Sequence, residues 1–422
     1  MKALPQELVD IIIDFLHNDK STLKSCSEVS RTWVDSASLH LFARVSPLWR
    51  PPYTDSLATF AVKLKSSLRL QRYVKCLEIK YYKPQYNGVQ APNPIAKKPP
   101  IPLETLFLAL QNFPHLERLI CGDIELFSIS GGQSAMTELR QLPTVRLLGT
   151  KFSVVGSTSS IGNFFGRFRS VETLFLSNIK FDPRDTSLFL PSTTKVQAPT
   201  VVATSPNVAD LFIILRNTVH LPSVVSCGLS IFTLDDIPIV GAFLEAHLRR
   251  IIVLELNLLN FSEWSEDGTQ PSWHRLELPK LSQVNALILN TSFTSGTLDQ
   301  NDFGWLAIPS IVFTLPSTSS LSSIRIHVLL SDLGPRGLSS LQRFIWSEFN
   351  SALARLRGLK EVIFALHVLV SKNRVSSWAA VVLLLQSALQ DVQERGILQV
   401  ELCWCSSSGV SQGFSPWLLR NA

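Results

Sequence analysis

The chain has 422 residues, more than one ordinary hydrophobic core holds, which predicts a small module joined to a larger domain. Hydrophobic residues make up 45% of it and charged residues only 17%, a composition that excludes an intrinsically disordered chain. The formal net charge is +6 and is unevenly placed along the sequence. The six cysteines are scattered and lack the paired spacings of a zinc site, so we expect free thiols, no metal and no cofactor.

Membrane insertion is not expected. The longest uncharged apolar run, residues 378–385, is far shorter than the ~20 residues that cross a bilayer. A helical pattern begins within a few residues of Met1, so no signal peptide is predicted ahead of it. We therefore expect an intracellular protein, cytoplasmic or nuclear, without a membrane partner.

Three short helices are predicted in residues 1–45. The first has Pro5 at its start and an apolar face made of Leu8, Ile11, Ile12, Phe15 and Leu16. The second has Leu23, Cys26, Val29 and Trp33 on its inner side, and the third has Ala37, Leu41 and Phe42. So few residues bury little surface alone, which indicates that this segment needs a partner.

These residues also form an ordered motif. Leu4-Pro5-Gln-Glu-Leu8 opens it, Val29-Ser-Arg-Thr-Trp33 closes its second helix, and Leu41-Phe42 follows. The pattern resembles the F-box, a module that docks on the small Skp-type adaptor of modular ubiquitin ligases. The resemblance implies adaptor-binding roles for Leu4, Pro5, Leu8, Val29 and Trp33, and a cullin bound through the adaptor. The alternative is a three-helix cap whose apolar residues only form core.

The rest of the chain, residues 46–422, repeats one short pattern of apolar residues. The pattern is apolar-x-x-apolar-x-apolar, and its ten copies begin at Val74, Leu116, Leu142, Val171, Leu221, Ile251, Val284, Leu321, Leu359 and Ile397. Helical patterns separate many copies, which predicts a parallel sheet with helical crossovers. The pattern resembles a degenerate leucine-rich repeat. The predicted fold class is therefore α/β, a three-helix F-box followed by an irregular leucine-rich-repeat-like solenoid. An ordinary α/β domain with buried strands is the alternative.

One stretch of the chain is strongly basic. Residues 50–100 hold ten Lys or Arg residues against two acidic ones, Asp55 and Glu78. Such a stretch suits acidic or phosphorylated groups on a partner, and we hypothesise that Lys80, Tyr81, Tyr82 and Lys83 bind a protein substrate. Basic residues beside tyrosines also occur in single-stranded nucleic-acid sites, but no fold suited to that task is predicted, so a nucleic-acid partner is not favoured. A solvated helix face followed by a loop is the plainer interpretation.

No catalytic constellation is found. Gly409-Val-Ser411-Gln-Gly413 matches the nucleophile elbow of hydrolases, yet residues 414–422 contain no Asp, Glu or His to complete a triad. The eight histidines are isolated in sequence, without a pair at metal-ligand spacing. We therefore expect a non-enzyme. The F-box resemblance implies the substrate-recognition subunit of a Skp–cullin–F-box ubiquitin ligase, and the alternative is a scaffold or protein-binding repeat protein that acts without a ligase.

Overall fold

The computed structural model describes residues 4–47, 56–81, 100–128, 141–153, 160–181, 195–259, 261, 272–293, 303–317, 319–330, 345–368 and 378–404. The chain divides into two compact units. Unit 1 comprises Met1–Ala198 with Asn217–Val219, and unit 2 comprises Pro199–Arg216 with His220–Ala422. Each unit is described by itself below.

Unit 1 begins with three helices, α1 (Gln6–Phe15), α2 (Lys20–Val29) and α3 (Arg31–Ala43). Each boundary has a local cause. Pro5 precedes α1 at a φ of −53°, and its carbonyl accepts the first backbone hydrogen bonds of the helix. The side chain of Asp19 accepts from the amides of Ser21 and Thr22, and Ser30 accepts from the amide of Thr32, so α2 and α3 both have an N-cap.

The rest of unit 1 combines helices with two parallel sheets. The helices are α4 (Ser56–Lys65), α5 (Leu68–Tyr73), α6 (Leu103–Gln111) and α7 (Ser160–Phe165). The larger sheet contains β1 (Arg44–Val45), β2 (Cys76–Lys80), β4 (Arg118–Gly122), β6 (Leu142–Leu148) and β8 (Val171–Ser177), in that order. The smaller sheet contains β3 (Pro100–Pro102), β5 (Glu125–Phe127), β7 (Lys151–Ser153) and β9 (Lys180–Phe181).

Unit 2 has one parallel sheet whose strands follow the chain order. They are β10 (Thr200–Thr204), β11 (Ser226–Ser230), β12 (Val253–Asn257), β13 (Ala286–Phe293), β14 (Ser323–Leu330), β15 (Glu361–Val368) and β16 (Leu398–Trp404). The helices are α8 (Val208–Thr218), α9 (Asp236–His247), α10 (Phe303–Thr314), α11 (Trp346–Ala354), α12 (Trp378–Ala388) and α13 (Gln390–Glu394). Short 3-10 turns span Leu221–Ser223, Trp273–Leu276 and Leu278–Lys280.

The predicted α/β class with parallel strands is confirmed, whereas the predicted leucine-rich-repeat solenoid is not. Each of the ten apolar triplets overlaps a strand that pairs in parallel with its neighbours. The inward positions are buried as predicted, since Leu174 and Leu176 in unit 1 and Leu254 and Leu256 in unit 2 are at most 1% exposed. Burial of these alternate side chains accounts for the apolar triplet pattern.

In a leucine-rich repeat the residues between the inward apolar positions face outward, and this expectation is only partly right here. Arg118 and Val253 are half-buried, but Ile120, Phe175 and Glu255 are buried. Parallel sheets are usually covered on both faces, and the triplet pattern reports only one of them.

Pro-, Gly- or Ser-rich stretches at residues 83–102, 192–206, 262–272 and 406–415 predict loops, and one of these predictions is wrong. The Ser- and Pro-rich stretch from Ser192 to Pro206 contains strand β10. The prolines that flank this strand indicated a loop, whereas Val201 and Ala203 point inward and are 1% exposed. The predicted loops at residues 83–102, 262–272 and 406–415 lie largely or wholly outside the described residues. None of the helices in the described ranges is long and apolar enough to cross a membrane.

Candidate functional site

The first candidate site is built on the small core shared by α1, α2 and α3. Val9 and Ile13 of α1 pack with Leu23 and Cys26 of α2 and with Ala37 of α3, all at most 8% exposed. Leu16, Trp33 and Leu41 are partly buried against this cluster. Trp33, which the F-box resemblance assigns to adaptor binding, is therefore engaged in part by the core of its own chain.

The inward face of α1 differs from the predicted one. Val9 and Ile13 are buried, while the apolar stripe formed by Leu8, Ile11, Ile12 and Phe15 is exposed, Phe15 by 83%. Helix α1 is apolar on two faces, so periodicity alone selected the wider stripe. We call Leu8, Ile11, Ile12 and Phe15 the apolar face of α1.

A third side of α1 is polar and is bonded to α3. Asp10 accepts hydrogen bonds from Gln6 at 2.8 Å and from Ser36 at 2.5 Å, and Asp14 lies 2.8 Å from His40 Nε2. The hydrogen bonds from Ser36 and Gln6 lower the pKa of Asp10 below its ordinary value. Because one side of α1 meets the core and another meets α3, the apolar face is left towards solvent.

The predicted adaptor-binding residues divide into two groups. Leu4, Pro5 and Leu8 lie together at the start of α1, and all three are exposed, Leu4 by 52% and Leu8 by 46%. Val29 ends α2 and is 73% exposed, although its spacing predicted an inward side chain. Four of the five residues are thus accessible, and Trp33 is partly buried.

Two of the four predicted substrate-binding residues, Lys80 and Tyr81, lie at the end of β2. Tyr82 and Lys83 fall outside the described residues, while Lys80 and Tyr81 are described. The Lys80 ammonium is 2.5 Å from Glu78 Oε1, so its charge is paired within the chain. Tyr81 is half-buried and its backbone N–H donates to the Gly122 carbonyl. A partner's anion meeting Lys80 would compete with Glu78.

The strand register of unit 1 reveals a second candidate site. The sequence did not predict that its residues lie together. Arg44, Cys76 and Arg118 stand opposite one another on β1, β2 and β4. Two residues further along, Glu78, Ile120, Arg146 and Phe175 form the next row. Alternate strand residues share a face, so these rows place Arg44, Arg118 and Arg146 beside Glu78 and Lys80. We call these five charged residues the basic sheet face.

The only available sequence signal for this group was positional. Arg118 and Arg146 each lie in or beside a triplet, at positions that alternate with its apolar residues. Charge counting along the chain cannot find them, because the basic stretch at residues 50–100 does not include Arg44, Arg118 or Arg146.

Polar side chains also pair on the sheet of unit 2. Asn290, fully buried, donates to Glu255 at 2.5 Å. His327 Nδ1 lies 2.8 Å from His367 Nε2, and both rings are at most 4% exposed. Burial lowers the pKa of His367 to about 4. These two histidines are isolated in sequence, and the adjacent parallel strands β14 and β15 bring them together.

No cluster of three or more His, Cys, Asp or Glu residues suited to a metal ion occurs in the part of the chain that the structure describes. Compared with known proteins, the chain matches no family model. No curated protein shows significant sequence similarity to it.

Proposed function

We propose that this chain is the substrate-recognition subunit of a Skp–cullin–F-box ubiquitin ligase. Residues 1–45 would dock on a Skp-type adaptor as an F-box, and residues 46–422 would bind a protein substrate as a degenerate leucine-rich-repeat-like region. The chain itself would not catalyse the bond-forming step of ubiquitin transfer. It would hold substrate lysines near a conjugating enzyme and so raise their effective concentration.

One observation carries the proposal. The residues that the F-box motif assigns to the adaptor are, apart from Trp33, accessible on α1 and α2 instead of forming core. In a plain three-helix cap the same apolar residues would pack inward. Leaving Leu4, Leu8 and Val29 in water is unfavourable by about 25 cal/mol for each Å² of apolar surface, and a docked partner would recover that free energy.

The apolar face of α1 extends this surface beyond the motif residues. Ile11 is 51% exposed and Phe15 is 83% exposed, so two further large side chains are available next to Leu8 along the helix. Aromatic residues are frequent among the few side chains that dominate binding energy at interfaces. Phe15 is therefore a proposed adaptor contact that the motif alone did not include.

The test is direct binding of the purified full chain to a purified Skp-type adaptor. Replacing Pro5 and Leu8 together by Ala should weaken binding about tenfold or more, because losing a buried Leu contact removes about 1.5–3 kcal/mol. Leu108→Ala is the matched control, since Leu108 is also an exposed leucine of unit 1 but lies on α6.

The proposal has two separable parts. Equal affinity of the double variant and the parent chain would count against the F-box assignment. Binding to the adaptor without ubiquitin transfer to any captured partner would instead favour a ligase-independent scaffold. Reconstituted ligase carrying the parent chain is expected to modify a captured partner, and ligase carrying the double variant is expected to lose that modification.

A further inference from the structure

The basic sheet face of unit 1 has an unbalanced charge. It contains four cationic side chains, Arg44, Lys80, Arg118 and Arg146, and a single carboxylate, Glu78. Adjacent strands of a sheet are about 4.8 Å apart and successive rows on one face about 6.6 Å apart, so long side chains on neighbouring rows are within reach of one another. The side chains therefore form one group on the surface of the sheet.

Both carboxylate oxygens of Glu78 are bonded to cations of this group, Arg44 and Lys80. Its Oε2 accepts from Arg44 Nε and Nη2, both at 2.7 Å, and its Oε1 lies 2.5 Å from Lys80 Nζ. Burial opposes ionisation of this carboxyl, but Lys80 and Arg44 outweigh that effect and the pKa of Glu78 stays below its ordinary value. Glu78 therefore has little capacity left to neutralise the other two arginines.

Arg118 and Arg146 form no ion pair within the described ranges. The Arg146 guanidinium lies 4.8 Å from the centre of the Phe175 ring, and its Nε–H is shielded from solvent without a hydrogen-bond partner among the described residues. Desolvation, with Arg118 as the next contributor, lowers the pKa of Arg146. Holding a guanidinium in this position is unfavourable for stability unless an anion completes it.

We propose that Arg118 and Arg146, supported by Arg44, bind an anionic side chain of a protein partner, either a carboxylate or a phosphoryl group. The planar guanidinium offers paired N–H donors that match both groups. Ile120 and Phe175, the neighbours of Arg146 in its row, are buried, so apolar side chains flank the Arg146 guanidinium on both sides. Naming this partner as the ligase substrate rests on the proposed function, whereas the anion site does not.

The test uses the full chain and three labelled peptides of the same length. One is rich in glutamate, one carries phosphoserines at matched positions, and one has glutamine in their place. Binding is measured by fluorescence anisotropy at low and moderate salt, because charge contacts weaken with ionic strength. The variant is Arg118→Gln with Arg146→Gln, and the control is Lys63→Gln with Arg72→Gln, which removes two exposed positive charges from helices α4 and α5.

We expect one or both anionic peptides to bind the parent chain and the control variant, and the glutamine peptide not to bind. The Arg118→Gln, Arg146→Gln variant should bind about tenfold more weakly or not at all, with a urea midpoint that is not lowered. The better of the two anionic peptides identifies the source of the negative charge. Equal binding by both variants, or no binding of either anionic peptide to the parent chain, overturns the site.

Two further outcomes are informative. A single-stranded oligonucleotide that binds more tightly than both anionic peptides would overturn the assignment to a protein partner.

Adaptor binding is measured on the same samples, because the sheet-face variant should retain it. Loss of adaptor binding by Pro5→Ala, Leu8→Ala without any sheet-face effect would leave the proposed function standing and remove this inference. The opposite result would remove the proposed function and leave the anion site.

Discussion

The parallel sheets of units 1 and 2 have similar backbones but different side-chain chemistry. On the sheet of unit 2 several polar residues pair with one another, as Asn290 does with Glu255, His327 with His367, and Arg325 with Glu401 at 3.7 Å. Asn290 Oδ1 and the Thr291 hydroxyl are buried without a hydrogen-bond partner among the described residues. On the sheet of unit 1, Arg118 and Arg146 have no acidic partner among the described residues. Paired polar groups stabilise a fold, while an excess of one charge prepares a surface for a ligand. The two sheets therefore differ in the balance of positive and negative side chains.

The inward faces of the two sheets should behave alike, and this is the largest expected effect. Leu174→Ala in unit 1 and Leu254→Ala in unit 2 should each lower the free energy of unfolding by about 2–5 kcal/mol, because both side chains are fully buried. Urea denaturation measures it. Leu108→Ala, at an exposed position, is the control and should change the midpoint little. A small effect at only one of the two leucines would break the similarity between the units.

Acidification should affect unit 2 through His367. Its pKa is about 4 when folded and about 6.5 when unfolded, so between these values the unfolded chain binds a proton that the folded chain does not. The stability contribution is complete above about pH 6.5 and decreases as the pH falls towards 4, by about 3 kcal/mol in total, since one pKa unit corresponds to about 1.4 kcal/mol.

The measurement is the urea midpoint at several pH values. His367→Gln should flatten the pH dependence in this window, while His220→Gln, at an exposed position, should leave it unchanged. Identical pH profiles for His367→Gln and the parent chain would show that the buried pair does not control acid stability.

The smallest effects distinguish two arginines of the basic sheet face. Arg44→Met leaves Glu78 with one cationic partner instead of two and should destabilise the chain by about 1–3 kcal/mol. Arg146→Met removes a guanidinium without an ion pair and should change the unfolding free energy by less than about 1 kcal/mol, in either direction. Comparable losses at both positions would mean that Arg146 is structural, and that the charge imbalance has no functional meaning.

Much of the fold could be predicted from the sequence because burial of one face produces a local, periodic pattern of apolar residues. The triplets at Leu174 and Leu254 repeat with a strand period, and Asp19 precedes a helix as a capping residue should. This pattern is less informative where two faces of an element are apolar. In α1 the stripe containing Phe15 is wider than the one containing Val9, and only packing against α2 and α3 decides which is buried.

The candidate sites depend on contacts that sequence distance conceals. His327 and His367 are forty residues apart, yet adjacent strands bring their rings together. Arg44, Arg118 and Arg146 lie on three different strands, and register alone groups them. The i, i+2 spacing of Glu78 and Lys80 on one strand was enough to predict that their side chains share a face and pair. A count of charges along the chain does not detect such a pair, and so it left Lys80 as a candidate for binding a partner.

Under the proposed function, the apolar face of α1 would link the lifetime of this protein to the supply of the partner that covers it. A newly made chain displays Leu8, Ile11, Ile12 and Phe15 before any partner arrives. Exposed apolar side chains of this size are sites of self-association, and they also attract chaperones and quality-control proteases. Copies in excess of the partner would be removed, and copies bound to it would persist. Under the proposed function, helix α1 would thereby match the abundance of the chain to that of its partner.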